Sequence, residues 1–323
     1  MLRLSPRALA AGALLLLLAL VPLYAQWQGE PFLLALFGRV LVYGIAALAL
    51  NLLLGYGGMV SFGHALYLGL GAYAVGVLNH YGIENGWLHL LAALGACAVV
   101  GLVSGYVVMR TSGIAFIMIT LAFAQMLFYI FISLRQYGGE DGLNLPGYST
   151  LPGIDLANDV AFYYLVLAIC AVMMWLFGRV TLSRFGTALQ GIRENESRME
   201  SMGYPVYRIK LTAFTLSGAA AGLAGALLAN HNLFISPSLM HWTQSANLLI
   251  MVLVGGIGLR YGGVAGAVVM LVLEEVLRQW TEYWHLPLGV LLLGVVIGAP
   301  RGLVGLFGPL FGGRAAQTGK AGS

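Results

Sequence analysis

The sequence has few charged residues. Only 9% are Asp, Glu, Lys or Arg, whereas soluble domains contain about 25%. Hydrophobic residues make up 60% of the chain, and its mean hydropathy is +0.88. A soluble globule of this composition would have too little polar surface to cover its core, so its solvent must be lipid. The composition therefore excludes a soluble fold and predicts an all-α, polytopic transmembrane helical bundle.

Cysteines and catalytic motifs are also scarce. Cys97 and Cys170 lie inside apolar runs, so we expect both to be packing residues rather than disulfide or metal ligands. The sequence has no G-x-x-x-x-G-K-[ST] loop, so this chain cannot bind ATP in the P-loop manner. The H-E-x-x-H and G-x-S-x-G motifs of metalloproteases and hydrolases are missing as well. We therefore expect no catalytic residue, metal or cofactor.

The apolar residues fall into ten runs, most of them near the ~20 residues that a membrane-spanning helix needs. They cover residues 8–25, 32–54, 62–79, 87–109, 114–134, 160–180, 208–230, 246–258, 262–280 and 286–307. The run at 246–258 is short and ends in glycines, which favours a broken or re-entrant helix. The first run admits two interpretations. Arg3, Arg7 and Ala25 resemble a signal peptide, but Leu23 is too large for a good cleavage site, so we expect an uncleaved helix.

Basic residues are concentrated in alternate loops. With ten spans and both termini in the cytoplasm, Arg135 and Arg278 face outside, Arg39 falls within a span, and the other basic residues face inside. This is the positive-inside pattern of membrane proteins. It places loop 135–159 outside and loop 181–207 in the cytoplasm. The net charge of +4 forms no basic stripe, so we expect no nucleic-acid partner.

The inner loop at 181–207 has a helical pattern. Its apolar residues recur at steps of four, three and seven, which places them on one helical face: Phe185, Leu189, Ile192 and Met199. Gly203 and Pro205 end the pattern. The sequence therefore predicts a short amphipathic helix over 184–202 on the cytoplasmic surface. It could dock on a partner protein or lie on lipid, and the mixed charge of its polar face favours the partner.

The 45 glycines include several small-x-x-x-small pairs, which let helix backbones approach closely. These pairs are Gly101 and Gly105, Gly218 and Gly222, Gly258 and Gly262, and Gly262 and Gly266. Ionisable residues inside spans are few, and Glu274 and Arg278 have the spacing of an i,i+4 ion pair. A proton-coupled carrier normally needs more buried carboxylates than this.

Seven blocks of the sequence are similar to motifs of one transporter family. They are 55–64 (GYGGMVSFGH) with 69–73 (GLGAY), 116–123 (FIMITLAF), 138–142 (GGEDG), 183–195 (SRFGTALQGIREN) with 202–203, 210–214 with 221–225, 254–258 (VGGIG) and 300–303 (PRGL). In this order they resemble the permeases of branched-chain amino acid ABC importers, of the LivM and LivH type. Tyr137 stands where the family has a threonine. The long outer loop at 135–159 favours the LivM-like branch.

We expect three parts: a first transmembrane helix or signal anchor at 1–30, an ABC importer permease domain at 31–310 and a cytoplasmic tail at 311–323. The resemblance implies the second part, and the first 30 residues have no specific similarity to the family. The resemblance also implies a multi-pass protein of the cell inner membrane that is not itself an enzyme. The implied partners are a second, LivH-like permease, two cytoplasmic ATPase subunits and a periplasmic substrate-binding protein. The implied substrates are leucine, isoleucine and valine.

The resemblance also implies site residues. The inner helix would couple the permease to an ATPase through Phe185, Gly186, Leu189, Ile192, Arg193, Glu194, Asn195 and Gly203. We expect its apolar side chains to enter a groove on the ATPase, and its charged residues to set the orientation at the rim. A translocation path without a tight ligand site would be lined near the glycine breaks by Gly58, Ser61, Gly63, His64, Gly255, Gly256 and Gly258.

Two alternative functions remain open at this point. An importer of the same class could carry urea, short amides or other amino acids, since relatives share these blocks. A secondary carrier or channel would need no ATPase, and the sparse buried charge and the inner helix count against it.

Overall fold

The computed structural model describes residues 6–153, 155–298 and 302, and these residues are predominantly helical. Within them, the only sheet is an antiparallel pair of two-residue strands, Leu143–Asn144 (β1) and Phe234–Ile235 (β2). The prediction of an all-α membrane bundle is confirmed. Because the bilayer core offers backbone groups no hydrogen-bond partners, helices are the expected solution for runs this apolar.

The helices follow the chain in a simple order. They are Pro6–Gln28 (α1), Pro31–Asn51 (α2), His64–His80 (α3), Gly86–Val108 (α4), Gly113–Ser133 (α5), Asp159–Leu182 (α6), Arg184–Glu194 (α7), Glu196–Ser201 (α8), Val206–Asn232 (α9), Trp242–Gly255 (α10), Gly262–Trp280 (α11) and His285–Gly298 (α12). A π-helical turn at Leu52–Tyr56 continues α2, and short 3-10 helices occupy Arg135–Tyr137 and Pro237–Met240.

Each predicted span corresponds to one helix, from α1 to α6 and from α9 to α12. Five segments in the described ranges are long and apolar enough to cross a membrane: Pro31–Tyr56, α4, α5, α6 and α9. Helix α10 has 14 residues, about 21 Å at 1.5 Å per residue, which is shorter than the ~30 Å hydrocarbon core. The last span was predicted to reach 307, but 299–301 and 303–307 lie outside the described residues, as do Arg3 and the tail at 311–323.

Helices α2 and α9 form the centre of the bundle, and 72% of the most apolar window of each is buried. Small residues allow this packing. A Cβ on Gly222 would lie 2.7 Å from Cβ of Cys97 in α4, and one on Gly71 of α3 would lie 2.6 Å from the Gly222 carbonyl carbon. Cys97 and Cys170 are both buried and free. The predicted packing roles of the Gly218–Gly222 pair and of both cysteines are confirmed.

Helix α5 lies at the periphery, since only 17% of its most apolar window is buried. Its exposed side chains include Ile114, Met118 and Tyr129. An apolar surface of this kind is stable in contact with lipid or with another membrane subunit.

The loops separate into two groups at opposite ends of the bundle. At one end, Thr150 N–H donates to the Glu84 carbonyl at 2.6 Å, and Leu145 N–H donates to the Leu233 carbonyl at 2.9 Å. At the other end, Arg193 reaches the Gly55 carbonyl and Gly258 N–H reaches Asn51. We call these the outer end and the inner end, after the sides that the charge pattern predicts.

Helix α1 packs on α2 and α6. It contains Pro22, which has no N–H and therefore leaves the Leu18 carbonyl without its helical donor. The Tyr163 hydroxyl of α6 donates to that carbonyl at 2.7 Å, and both Leu18 and Tyr163 are buried. The first helix is thus integrated into the bundle by a hydrogen bond that its own proline requires.

Candidate coupling surface and translocation region

The first glycine break is residues 55–63, which comprise the end of the π-helical turn that continues α2 and the irregular segment before α3. Ser61 is fully buried, and its hydroxyl accepts from Gly63 N–H at 3.3 Å. A Cβ on Gly63 would lie within 3.0 Å of the Thr120 carbonyl oxygen, so this position requires glycine. The first turn of α3 receives its cap from another helix, because Ala65 N–H donates to Ser245 Oγ of α10 at 2.9 Å.

His64 begins α3 and is completely buried. The Ser217 hydroxyl donates to the Ala49 carbonyl at 2.5 Å, so it accepts from Nε2–H of His64 at 2.8 Å. The His64 Nδ1 atom has no partner within the described residues. His64 therefore joins α2, α3 and α9 in the core.

The second glycine break, residues 256–261, separates α10 from α11. Gly256 and Gly258 have φ of 106° and 74°, values that residues with a Cβ rarely adopt. Gly255 approaches α11 so closely that a Cβ would lie 2.8 Å from Gly266 N. The predicted break at the end of this short helix is confirmed, with its start at Gly256.

The two glycine breaks meet at Asn51, a buried amide at the end of α2. Its Nδ2 donates to the Leu259 carbonyl at 2.7 Å, and its Oδ1 accepts from Gly258 N–H at 3.0 Å. A Cβ on Gly55 would lie 2.5 Å from Gly258 N, so the backbones touch here. Asn51 was not predicted as a site residue, although a lone amide in an apolar run was a usable indication.

Arg193 connects α7 to both glycine breaks. Its Nη1 donates to the Gly55 carbonyl, and the same atom would lie 3.6 Å from a Cβ on Gly258. Its Cγ lies against Gly58, where a Cβ would come within 2.8 Å. Arg193, predicted to lie at the rim of a partner's groove, is exposed and also bonds to a backbone carbonyl of this chain, so its role at a partner stays a prediction.

The apolar face of α7 is also turned into this chain. Leu189 is fully buried, Ile192 is 3% exposed, and Phe185 is partly buried against the main core. The amphipathic pattern was predicted correctly. The expectation that this face enters a groove on an ATPase is wrong for Leu189 and Ile192, because the membrane bundle already covers them.

Three further residues of the inner helix have local structural roles. Asn195 splits the predicted helix 184–202 into α7 and α8, since its Oδ1 caps Arg198 N–H at 2.9 Å. A Cβ on Gly186 would lie 2.5 Å from the Thr181 carbonyl carbon, so its close approach is to α6 rather than to a partner. Gly203 follows the end of α8 with φ of 83°, as a helix stop was predicted to do.

The exposed surface of α7 and α8 is polar. It is formed by Arg184, Thr187, Arg193, Glu194, Asn195, Ser197, Arg198, Glu200 and Ser201. Thr187 and Glu194 lie seven positions apart, so they share one face of α7. This face, rather than the apolar one, is free to meet another protein.

Two ion pairs are present in the described part of the chain. Glu274 and Arg278 form the predicted i,i+4 pair at 2.6 Å. Lys210 in α9, which is 8% exposed, pairs with Glu196 of α8 at 2.5 Å. The second pair was missed, because its partners are 14 positions apart in different helices. No group of three His, Cys, Asp or Glu residues that could hold a metal occurs in the described ranges.

Of the seven residues predicted to line a path, only Gly58 is exposed and Gly258 is partly buried. The other five are buried in the packing described above: Ser61, Gly63, His64, Gly255 and Gly256. In this conformation they hold the two breaks together rather than face an opening.

Comparison with known proteins gives this arrangement a family. Residues 32–298 match the family described as the permease component of branched-chain amino acid transport systems. The chain belongs to this permease family. The match includes α2 to α12, and therefore both glycine breaks and α7, while α1 precedes it.

Individual relatives agree with the family. The chain is 30% identical to two proteins named high-affinity branched-chain amino acid transport system permease protein LivM, from Salmonella typhimurium and Escherichia coli. Each match covers 91% of this permease and 76% of the relative. A probable LivM from Methanocaldococcus jannaschii is 25% identical over 53% of this chain and 54% of its own. No solved structure matches.

Proposed function

We propose that this permease is the LivM-type subunit of an ATP-driven importer that carries leucine, isoleucine and valine across the inner membrane. The observation that carries the proposal is the 30% identity, over 91% of the chain, to relatives named for branched-chain amino acid transport. The proposed assembly contains a LivH-like second permease, two cytoplasmic ATPases and a periplasmic substrate-binding protein. This chain contributes no ATP site, because its sequence has no phosphate-binding loop.

The coupling surface is the exposed polar face of α7 and α8. We expect Thr187, Glu194, Ser197 and Arg198 to contact the ATPase, since these side chains are exposed at the inner end. A polar surface of mixed charge suits a contact that must be specific yet reversible during a transport cycle.

Motion of α7 reaches the membrane through Arg193. Its hydrogen bond to the Gly55 carbonyl and its contact with Gly58 lie directly on the first glycine break, which touches the second through Gly258. A displacement of α7 must therefore move both breaks or break these contacts. Of the residues predicted from the sequence to line the path, Gly58 and Gly258 remain candidates, because they are accessible from the inner end.

Uptake by the complete importer in proteoliposomes tests the proposed substrate. We expect ATP and the binding protein to be required for uptake of radiolabelled leucine, with isoleucine and valine as competitors. Competition by urea or acetamide, without competition by valine, would replace the substrate while keeping the class. Uptake that depends on an ion gradient and not on ATP would identify a carrier and overturn the class.

Cysteine labelling tests the proposed orientation. Both native cysteines are buried, so single exposed positions can report the sides: Asp141→Cys at the outer end and Ser197→Cys at the inner end. A membrane-impermeant maleimide added to intact cells should label position 141 and not 197. The reverse result would invert the topology.

A further inference from the structure

A cavity of about 360 Å³ lies at the inner end of the permease. Its wall is formed by the first glycine break, the connection between α4 and α5, the last turn of α7, the start of α8 and Lys210 of α9. Its volume lies within the ~300–1,000 Å³ that small-molecule sites commonly have. The family resemblance gives this cavity no role.

Charged groups of both signs face the cavity. Lys210 is 8% exposed, and its ammonium has one hydrogen-bond partner among the described residues, Oε1 of Glu196 at 2.5 Å. An ammonium has three donors, and a buried donor without an acceptor is costly. Arg193 lines the same cavity, so two cations accompany one anion. The wall can therefore accept a carboxylate at Lys210 and an ammonium at Glu196.

The remaining wall is largely apolar. Met109, Phe116 and Ile192 line it and are between 3% and 6% exposed. The first turn of α5 also contributes, and its N-cap residue Ser112 makes no side-chain capping hydrogen bond. The free N–H groups of that turn carry partial positive charge, which favours the binding of a carboxylate in this cavity.

We propose that this cavity binds a free amino acid with an apolar side chain, held by Lys210 and Glu196 and packed against Phe116. The ligand class rests on the proposed function, since it is the transported solute met at the cytoplasmic end. A zwitterion matches the paired charges, and an aliphatic side chain matches the apolar wall better than a polar one. The site fills as solute leaves the path, so it reports the internal amino acid concentration to α8 and through it to α7.

The test uses the assembled complex of permeases and ATPases in detergent, without nucleotide and without the binding protein. Ligand-observed NMR should detect leucine binding in the millimolar range. Binding of 4-methylpentanoate, which lacks the ammonium, and of isoamylamine, which lacks the carboxylate, should be at least tenfold weaker. The paired variant Lys210→Met with Glu196→Gln removes both charges together and should weaken leucine binding at least tenfold.

Two further variants keep the result interpretable. Glu274→Gln with Arg278→Gln removes the other ion pair, which does not line the cavity, and should leave leucine binding unchanged. Ile114→Trp alters an exposed lining side chain without touching the ion pair, and should displace leucine even if the paired Lys210 variant fails to assemble.

Measuring uptake and leucine binding on the same complex distinguishes a failure of this binding site from a failure of the proposed function. A complex that imports leucine but does not bind it without the binding protein overturns the site alone. Binding that persists unchanged in Ile114→Trp, or that is equal for 4-methylpentanoate, also overturns it. Binding with the expected specificity in a complex that imports no branched-chain amino acid keeps the site and overturns the proposed function.

Discussion

The two ends of this permease are held together in different ways. At the outer end, side chains bond to distant backbone groups: Asn230 Oδ1 accepts from Ser149 N–H at 2.9 Å, and Asn79 Nδ2 donates to the Gly147 carbonyl at 3.0 Å. The β1–β2 pair lies in the same region. At the inner end, the two glycine breaks touch through Asn51, and Arg193 is their link to α7.

We infer from this difference that the outer end keeps one arrangement, whereas the inner end can move. Several independent hydrogen bonds hold the outer loops together, so the loss of one lowers the free energy of unfolding but leaves the loops in place. At the inner end, the link from α7 to the breaks depends on Arg193, and the contact between the breaks depends on Asn51 and on a close backbone approach at Gly55. Changes there should impair transport, whereas changes at the outer end should impair stability.

The largest expected effect is at Gly55. Gly55→Val places a branched side chain against Asn51 and within 2.5 Å of Gly258 N. Overpacking against backbone costs about 1–3 kcal/mol or more, and here it forces the two breaks apart. We expect uptake to be abolished, measured with labelled leucine in proteoliposomes.

Gly95→Val is the matched control for that variant. Gly95 lies in α4, and a Cβ there would meet nothing within 4 Å. It should insert, assemble and transport like the unmodified protein. Normal uptake by Gly55→Val would show that the two breaks need not touch.

The next largest effect is expected for Arg193→Met, which keeps an unbranched stem over Gly58 but removes the donor to Gly55. A hydrogen bond from a charged group contributes about 1.5–3 kcal/mol, which corresponds to roughly tenfold to hundredfold in uptake. ATP hydrolysis by the assembled complex should continue. Arg208→Met removes an exposed charge at the same end and should have little effect. If Arg193→Met transports normally, α7 acts through another contact.

The sequence predicted a helix at each of the ten apolar runs and the amphipathic character of α7, because both depend on which solvent surrounds the chain. Lipid requires long apolar helices, and an apolar face every three or four residues has to be buried. Periodicity does not say what buries that face. Leu189 is covered by this chain, so Leu189→Asp is expected to disrupt folding rather than simply uncouple an ATPase.

The remaining site residues depend on tertiary contacts. Asn51 and Gly258 are 207 positions apart, and Glu196 and Lys210 lie on different helices, so no local pattern predicts that they meet. The split at Asn195 is different. An asparagine followed by an acidic residue is a recognisable helix start, but here it lies within a longer periodic run that predicted one continuous helix.

A smaller effect, of a different kind, is expected at the outer end. Asn230→Leu keeps the side-chain volume but leaves the buried Ser149 N–H without its acceptor. This should lower the free energy of unfolding by about 1–3 kcal/mol, measured by denaturant titration in detergent. Uptake per assembled complex should stay within about twofold, because the other outer contacts remain. Asn232→Ala, at an exposed position nearby, is the control. A loss of uptake larger than the loss of stability would remove the distinction between the ends.

The smallest effect is expected at α1, which reaches the outer end beside α6. Tyr163→Phe removes the donor to the Leu18 carbonyl, and Pro22 ensures that no helical N–H can replace it. A net cost of about 1 kcal/mol is expected in the same denaturant titration. Tyr164→Phe is the matched control, since its hydroxyl contacts the Ala19 carbonyl at a longer 3.3 Å from an exposed position. The prediction requires that α1 remains in the mature protein, so its N-terminal sequence must be determined beside the titration. A mature chain that begins after Ala25 would contradict both the retained helix and the role given to Tyr163.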